Sequence, residues 1–115
     1  MGLTNEQIQT IKKEAAKYLY HNRPPIEIRD ELDLGFRIDG QSVFVFEIRP
    51  KFMVPNEKTE LKVAKTTFVQ SANHWKVFWL RGDLKWYPYE PCPHVPSISA
   101  FFDLIQEDSL SCFFG

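Results

Sequence analysis

The chain has 115 residues, of which 43% are hydrophobic, and its 14 basic and 15 acidic residues give a formal net charge of −1 at pH 7. This size suits one domain that buries a core, and the charge excludes attraction of a polyanion by the protein as a whole. We therefore expect a single domain over residues 1–115, and any nucleic-acid partner needs a local basic face.

Targeting features predict a cytoplasmic protein. No apolar run approaches the roughly 20 residues that span a bilayer, so we expect a soluble protein without a membrane partner. The N-terminus has no apolar signal segment, and Cys92 and Cys112 are the only cysteines. Both are predicted to be free thiols in a reducing cytoplasm.

The first element is a predicted helix. Thr4 and Gln7 fit a capping box, and apolar residues then recur at helical spacing. These residues are Ile8, Ile11, Ala15, Tyr18 and Leu19. The helix should end at Arg23-Pro24-Pro25, because a residue before proline is disfavoured in the α region.

Alternation of apolar and polar residues predicts a strand over 26–38, followed by a strand that carries Phe44, Phe46 and Ile48. A three-residue turn with Gly40 in the left-handed region would pair Arg37 with Gln41. It would thereby keep both apolar sets on one face. We also expect ion pairing among Arg37, Glu47 and Arg49 across this hairpin.

The segment 50–60 holds two prolines and a polar run, and it is predicted to be a mobile connection. Residues 61–90 hold all three tryptophans and predict three antiparallel strands with turns near Asn73 and at Gly82-Asp83. A type II′ turn at Gly82-Asp83 would set Trp79 opposite Trp86. The strand 75–80 is apolar on both sides, so its second side is either covered or a contact surface.

Four prolines make 87–96 an extended connector, after which Ser97 is the predicted cap of a second helix. The phenylalanines of the terminal segment Cys112–Gly115 predict a tail that docks on the fold. The fold class is therefore α+β, ordered α-β-β-β-β-β-α, with an antiparallel sheet of four to five strands and both helices packed on it. The predicted core is Ile8, Ile11, Leu19, Leu32, Leu34, Phe36, Phe44, Phe46, Ile48, Phe68, Phe78, Leu80, Phe101, Phe102 and Ile105.

Several short segments resemble one family. They are Arg23-Pro24-Pro25, Leu32–Phe36, Glu47–Pro50, Ala64–Thr66, Trp75–Trp79, Asp83–Trp86, Tyr89–Pro91 and Cys112–Gly115. On these residues the chain resembles the small bacterial proteins of the domain of unknown function 3024 family. The resemblance covers roughly four-fifths of the chain. It implies no particular activity, cofactor or partner.

Two patterns offer catalytic or metal chemistry. Glu47 and Arg49, with Asp33 or Asp39 on the strand before them, faintly resemble the Asp and Glu-x-Lys pattern of metal-dependent nucleases, in which carboxylates bind Mg²⁺. Charges that pair across a hairpin are the commoner explanation. Cys92, His94 and Cys112 are fewer than the four ligands of structural zinc, so we predict no metal site and no cofactor.

A third pattern favours binding. Cations alternate with aromatic residues in the tryptophan-rich stretch, as in surfaces that hold single-stranded nucleic acid. The candidate binding residues are Lys65, Lys76, Arg81, Lys85, Trp75, Trp79 and Trp86. Because aromatic residues of small domains are usually packed, we expect the tryptophans to lie in the core and the cations to form the wet face, rather than a nucleic-acid surface. For function we favour a non-catalytic binding or protein-interaction module that uses the tryptophan-rich sheet, with a homodimer or another protein as partner. A divergent nuclease or a nucleic-acid-binding protein is the alternative.

Overall fold

The computed structural model describes residues 2–51 and 53–108. Its elements are α1 (Asn5–Asn22), β1 (Asp33–Asp39), β2 (Ser42–Lys51), β3 (Val54–Val69), β4 (His74–Leu80), β5 (Trp86–Pro88), β6 (His94–Val95) and α2 (Ile98–Glu107). The strands form one antiparallel sheet in the order β1-β2-β3-β4-β5, and β6 also pairs with β4. The α+β prediction is confirmed.

Both predicted helix caps are present. The Thr4 hydroxyl accepts from the amide of Gln7 at 3.1 Å, and the Gln7 side chain accepts from the amide of Thr4 at 2.8 Å. In α2, the Ser97 hydroxyl accepts from the amide of Ala100 at 3.1 Å. These bonds satisfy amides that have no partner within the helix, which is why the local sequence predicts where each helix begins.

The first predicted strand is too long at its start. Residues 26–31 form consecutive turns, in which the amide of Ile28 donates to the carbonyl of Pro25 at 2.9 Å. Ile26 is 74% exposed, so it is not part of the alternating apolar pattern that predicted a buried strand face. The strand itself begins at Asp33.

The predicted bulged turn is wrong. Asp39 lies opposite Ser42 and Phe36 opposite Val45, so the loop is Gly40-Gln41, with Gly40 at φ +60°. This register places the even positions of β1 beside the odd positions of β2. Small β-branched side chains of β2 therefore lie under the helices, and its phenylalanines point to the other side.

Both helices pack on one face of the sheet, which we call the helix-side face. Its buried core consists of Ile11, Ala15, Tyr18, Val43, Val45, Val63, Ala64, Trp75, Val77, Tyr89, Val95, Ile98, Phe101, Phe102 and Ile105. We call the opposite face the open face, because no helix in the described part of the chain packs on it. By register the open face carries Arg37, Phe44, Phe46, Ile48, Glu60, Lys62, Lys65, Lys76, Phe78, Leu80 and Trp86.

The core prediction is thus wrong for several large residues. Phe44, Phe46, Ile48, Phe78 and Leu80 lie on the open face, where Phe46 alone among them is buried. The predictions for α2 and for Ile11 are confirmed, since Phe101, Phe102, Ile105 and Ile11 are all buried.

The predicted mobile connection 50–60 instead contains the end of β2 and the start of β3. β3 starts at Val54, and Lys51 pairs with Val54 while Pro50 pairs with Lys58 after a register shift. Met53 has a positive φ of 67°, which lets the chain reverse within the intervening turn. The ammonium group of Lys58 also donates to the carbonyl of Asp30.

The predicted tryptophan pair does not form. The amide of Arg81 donates to the carbonyl of Lys85 at 3.1 Å, so the loop is 82–84 with Leu84 at φ +64°. The extra loop residue shifts the register, and Trp79 lies opposite Tyr87 rather than Trp86. Trp79 and Trp86 consequently point to opposite faces.

Two further predictions concern the ends and surroundings of the fold. The terminal segment Cys112–Gly115 lies outside the described residues. Neither described helix is long and apolar enough to cross a membrane.

Candidate ligand-binding face

A β-bulge organises the centre of the open face. Val45 pairs with Ala64 whereas Phe46 pairs with Lys62, so Val63 is an extra residue in β3. The bulge resets the alternation of side chains, and Lys62 and Lys65 both reach the open face although they are three residues apart. Their ammonium groups lie 4.9 and 5.5 Å from the centre of the Phe44 ring.

Lys65 is surrounded by aromatic rings. Besides Phe44, its ammonium group lies 5.3 Å from the centre of Phe78 and 5.9 Å from that of Trp86. The rings of Phe44 and Trp86 are themselves 5.9 Å apart although β3 and β4 lie between their strands. Neighbouring strands are about 4.8 Å apart, so these rings meet by extending over the sheet surface. They form a half-buried cluster around one lysine.

A second cation–ring contact lies at the β1 side of this face. The guanidinium of Arg37 sits 5.2 Å from the centre of the Phe46 ring. It also binds the carboxylate of Glu60 through two hydrogen bonds of 2.8 and 2.9 Å. Arg37 thereby neutralises Glu60, and the Glu60 hydrogen bonds raise the pKa of Arg37.

Two histidines extend the aromatic surface towards β6. The rings of His74 and His94 are stacked with centres 4.3 Å apart and an interplanar angle of 6°. Lys76 pairs with His94 and shares the open face with Lys65. The open face thus presents cations and flat rings along β3, β4 and their neighbours.

The predicted binding residues separate between the two faces. Lys65, Lys76 and Trp86 lie on the open face, and Lys85 is exposed in the loop region. Trp75 is buried in the core, and Trp79 packs against it.

Arg81 contacts two aromatic rings beside the loop 82–84. Its guanidinium lies 5.4 Å from the Trp79 ring centre and 4.6 Å from that of Tyr87, which places it on the helix-side face. Asp83 accepts a 2.5 Å hydrogen bond from the Tyr87 hydroxyl, which lowers the pKa of Asp83. These contacts fix the loop and hold Arg81 away from the open face.

Asp33 and Glu47, the carboxylates of the nuclease pattern, lie in separate environments. Asp33 is bound by the Arg23 guanidinium at 2.6 and 2.7 Å, which lowers the pKa of Asp33. Glu47 lies on the next rung of the ladder, opposite Leu34 on the helix-side face. Neighbouring rungs point to opposite faces, so the two groups do not converge.

The predicted ion pairing across the first hairpin is also wrong. Arg37 binds Glu60 on β3, while Arg49 lies 3.4 Å from Glu47 two residues away on the same strand. In the observed register Arg37 lies opposite Phe44, three rungs from Glu47, whose side chain points to the other face. Cys92 is a free thiol, and no cluster of three metal-ligating residues occurs in the described ranges.

Glu47 lines a cavity of about 240 Å³ between α1, α2 and the sheet, together with Tyr18, Asn22, Leu34 and Gln106. Burial first, and then the charges of Asp108 and Glu47, raise the pKa of Tyr18 well above its usual value. The side-chain amide of Asn22 donates to the side-chain carbonyl of Gln106 at 3.2 Å and joins the two helices at the cavity rim. Tyr18 and Glu47 are the titratable side chains among the described residues that line this cavity.

Sequence reasoning missed Lys62, Phe44 and Phe78 as members of the candidate face. The sequence does not show that Lys62 belongs to this face, because in a strand without a bulge the side chains of Lys62 and Lys65 would point to opposite faces. The spacing of three between the lysines, within a stretch otherwise suited to a strand, was the available sign of a bulge.

Fold and face together define a class of protein: a single α+β domain with one sheet face closed by helices and the other lined by cations and rings. The chain belongs to the family described as Domain of unknown function (DUF3024), which it matches over residues 3–115. No curated protein and no solved structure matches it significantly.

Proposed function

We propose that this protein is a non-catalytic binding module whose ligand lies on the open face. One observation carries the proposal: Phe44, Phe78 and Trp86 remain half-buried around Lys65 on a face without a packed helix in the described chain. A surface that combines unpaired cations with ring faces suits an anionic ligand with flat groups.

The strength of the internal contacts supports this proposal. A cation–ring contact at an exposed site is worth about 0.5–1 kcal/mol. A flat ligand stacked on an aromatic side chain gains about 1–3 kcal/mol per ring by alanine substitution. For each ring, a stacked ligand therefore gains more than the cation–ring contact that it replaces.

Catalysis is left out of the proposal because the candidate carboxylates are used otherwise. Asp33 is neutralised by Arg23, and Glu47 faces the cavity beside Tyr18. We place the module in the cytoplasm of a bacterial cell, a setting that the free thiol of Cys92 supports.

The test compares an open-face variant with a matched control. Untagged protein, Trp86→Ala and Tyr20→Ala are purified from the protein's own cells, and bound material is identified by mass spectrometry and ultraviolet absorbance. Tyr20 is 85% exposed on α1 and serves as the control aromatic residue. Wild type and Tyr20→Ala should retain the same material and Trp86→Ala should lose it. Retention by Trp86→Ala shows that the ligand lies elsewhere.

A homodimer is a second proposal, supported by the edge of β3. Residues 54–62 pair only with β2 among the described strands, so their other edge is free for β-pairing. Sedimentation equilibrium at about 100 µM should show a dimer for wild type and a monomer for Lys58→Pro, which removes an amide that points to this free edge. A wild-type monomer at that concentration contradicts this proposal.

A further inference from the structure

We propose that the ligand of the open face is single-stranded nucleic acid. This inference rests on the proposed function, because it specifies the chemistry of the ligand for the same face. It follows from the charges of the open face, from its aromatic rings and from the exposure of both.

Charge complementarity selects a polyanion. Lys62, Lys65 and Lys76 lie on the open face along β3 and β4, and none of them has a carboxylate partner among the described ion pairs. Glu60 shares the face, but Arg37 holds it. Two further acids belong to this face by register: Asp33, which Arg23 binds, and Asp39, which lies at the hairpin end of β1 opposite Ser42. The centre of the face is therefore positive although the whole chain carries −1.

The rings select a single strand over a duplex. Phe44, Phe78 and Trp86 are side chains on which unpaired bases stack, whereas a duplex keeps its bases stacked on one another. Stacking tolerates every base because each base has a π face. The surface thus fits a strand of little sequence preference.

Binding requires a rearrangement of Lys65. In the free protein its ammonium group lies between the three rings. In the complex, Lys65 turns outward to a phosphate and a base takes its place on the ring surface. Lys62 makes the same exchange at Phe44, where its ammonium group is 4.9 Å from the ring centre. Each lysine then neutralises one phosphate.

Fluorescence anisotropy with labelled oligo(dT) and oligo(rU) of about 15 nucleotides, a length near the upper site size of a sheet-based binder, tests the inference. A duplex of equal length is the structural control. Three lysines on phosphates predict that log K falls with log salt with a slope of about −2, and Lys65→Gln should reduce that slope by about 0.7. Lys13→Gln removes the same charge from the exposed side of α1 and should leave the slope unchanged.

Trp86→Ala should weaken binding about 5- to 150-fold while the salt slope stays the same. Trp86→Phe retains a ring and should lose far less. Tyr20→Ala is the matched control, and circular dichroism melts confirm that each variant is folded. Loss in Trp86→Ala without loss in Trp86→Phe separates stacking from a general effect on the fold.

Three outcomes overturn the inference: duplex binding as tight as single-strand binding, equal effects of Lys65→Gln and Lys13→Gln, or no binding at about 50 mM salt. If oligonucleotides fail to bind but Trp86→Ala still loses its co-purified ligand, the nucleic-acid inference is wrong and the proposed function stands. If Trp86→Ala loses nothing in either assay, both are wrong.

Discussion

Gly35→Ala should destabilise the fold through one contact on the open face. A Cβ atom at Gly35 would lie 2.8 Å from Cε1 and 3.0 Å from Cζ of Phe46. Non-bonded carbons prefer about 3.5–4.0 Å, so the ring must move by roughly 0.7 Å or more. Phe46 is only 5% exposed, with Arg37 over its ring, which leaves the ring little room.

Two opposing terms set the magnitude. Overpacking of this kind costs about 1–3 kcal/mol, whereas replacing glycine within a strand gains about 0.5–1 kcal/mol of backbone entropy. The first term is larger, so the free energy of unfolding should fall by about 1–2 kcal/mol. For a domain of this size the melting temperature should drop by roughly 3–8 °C.

Urea denaturation of four variants checks this reasoning. Gly82→Ala is the matched control, since a Cβ there meets nothing within 4 Å. Phe46→Leu, made alone and with Gly35→Ala, completes a double-mutant cycle, and a shorter side chain should remove most of the cost. The reasoning is refuted if Gly35→Ala is as stable as wild type, or if the cycle is additive.

Three further predictions concern single side chains. Because the fold raises the pKa of Tyr18, the unfolded chain loses the Tyr18 proton above about pH 10 while the folded chain retains it. The contribution of Tyr18 to the free energy of unfolding is therefore complete below pH 10 and falls as the pH rises. Urea titrations should show a flatter decline for Tyr18→Phe and an unchanged decline for Tyr20→Phe. Thr66 is fully buried, and its hydroxyl donates to the carbonyl of Lys76 at 2.7 Å. Thr66→Val leaves that carbonyl without this donor and should lower the free energy of unfolding by about 1–2 kcal/mol in urea denaturation. An unchanged urea midpoint would contradict this prediction. Leu84 has φ +64° and is 78% exposed, and asparagine adopts this left-handed conformation more readily than leucine or alanine. Leu84→Asn should therefore raise the melting temperature by a few degrees, and Leu84→Ala should not. Equal melting temperatures of the two variants would disprove a backbone cause.

Local signals were predictable from the sequence, and strand register was not. The caps at Thr4 and Ser97 depend on side chains within three residues, so they are readable directly. β2 has apolar residues at both parities, Val43 and Val45 against Phe44 and Phe46. A one-residue change in the loop exchanges which set faces the helices, and both choices bury apolar surface.

The candidate face was predictable in kind but not in membership. Cations and aromatic rings do share a sheet face, as the tryptophan-rich stretch indicated, and Lys65, Lys76 and Trp86 are among them. Trp79 pairs with Ala64 and lies on the helix-side face, whereas the loop 82–84 places Trp86 on the open face beside phenylalanines of β2 and β4. Such membership depends on loop lengths and bulges, which the pattern of residue types alone does not determine.

The extra residue Val63 makes this surface sensitive to the length of β3. Deleting Val63 would restore unbroken alternation, and one half of the strand would then rotate by half a turn relative to the other. Lys62 would exchange faces with its neighbours, and Glu60 would leave Arg37. A protein without that residue would keep nearly the same composition and strand count, yet it would divide its lysines between two faces. In proteins with this fold, the insertion or deletion of one residue in β3 therefore alters the open face more than most substitutions do.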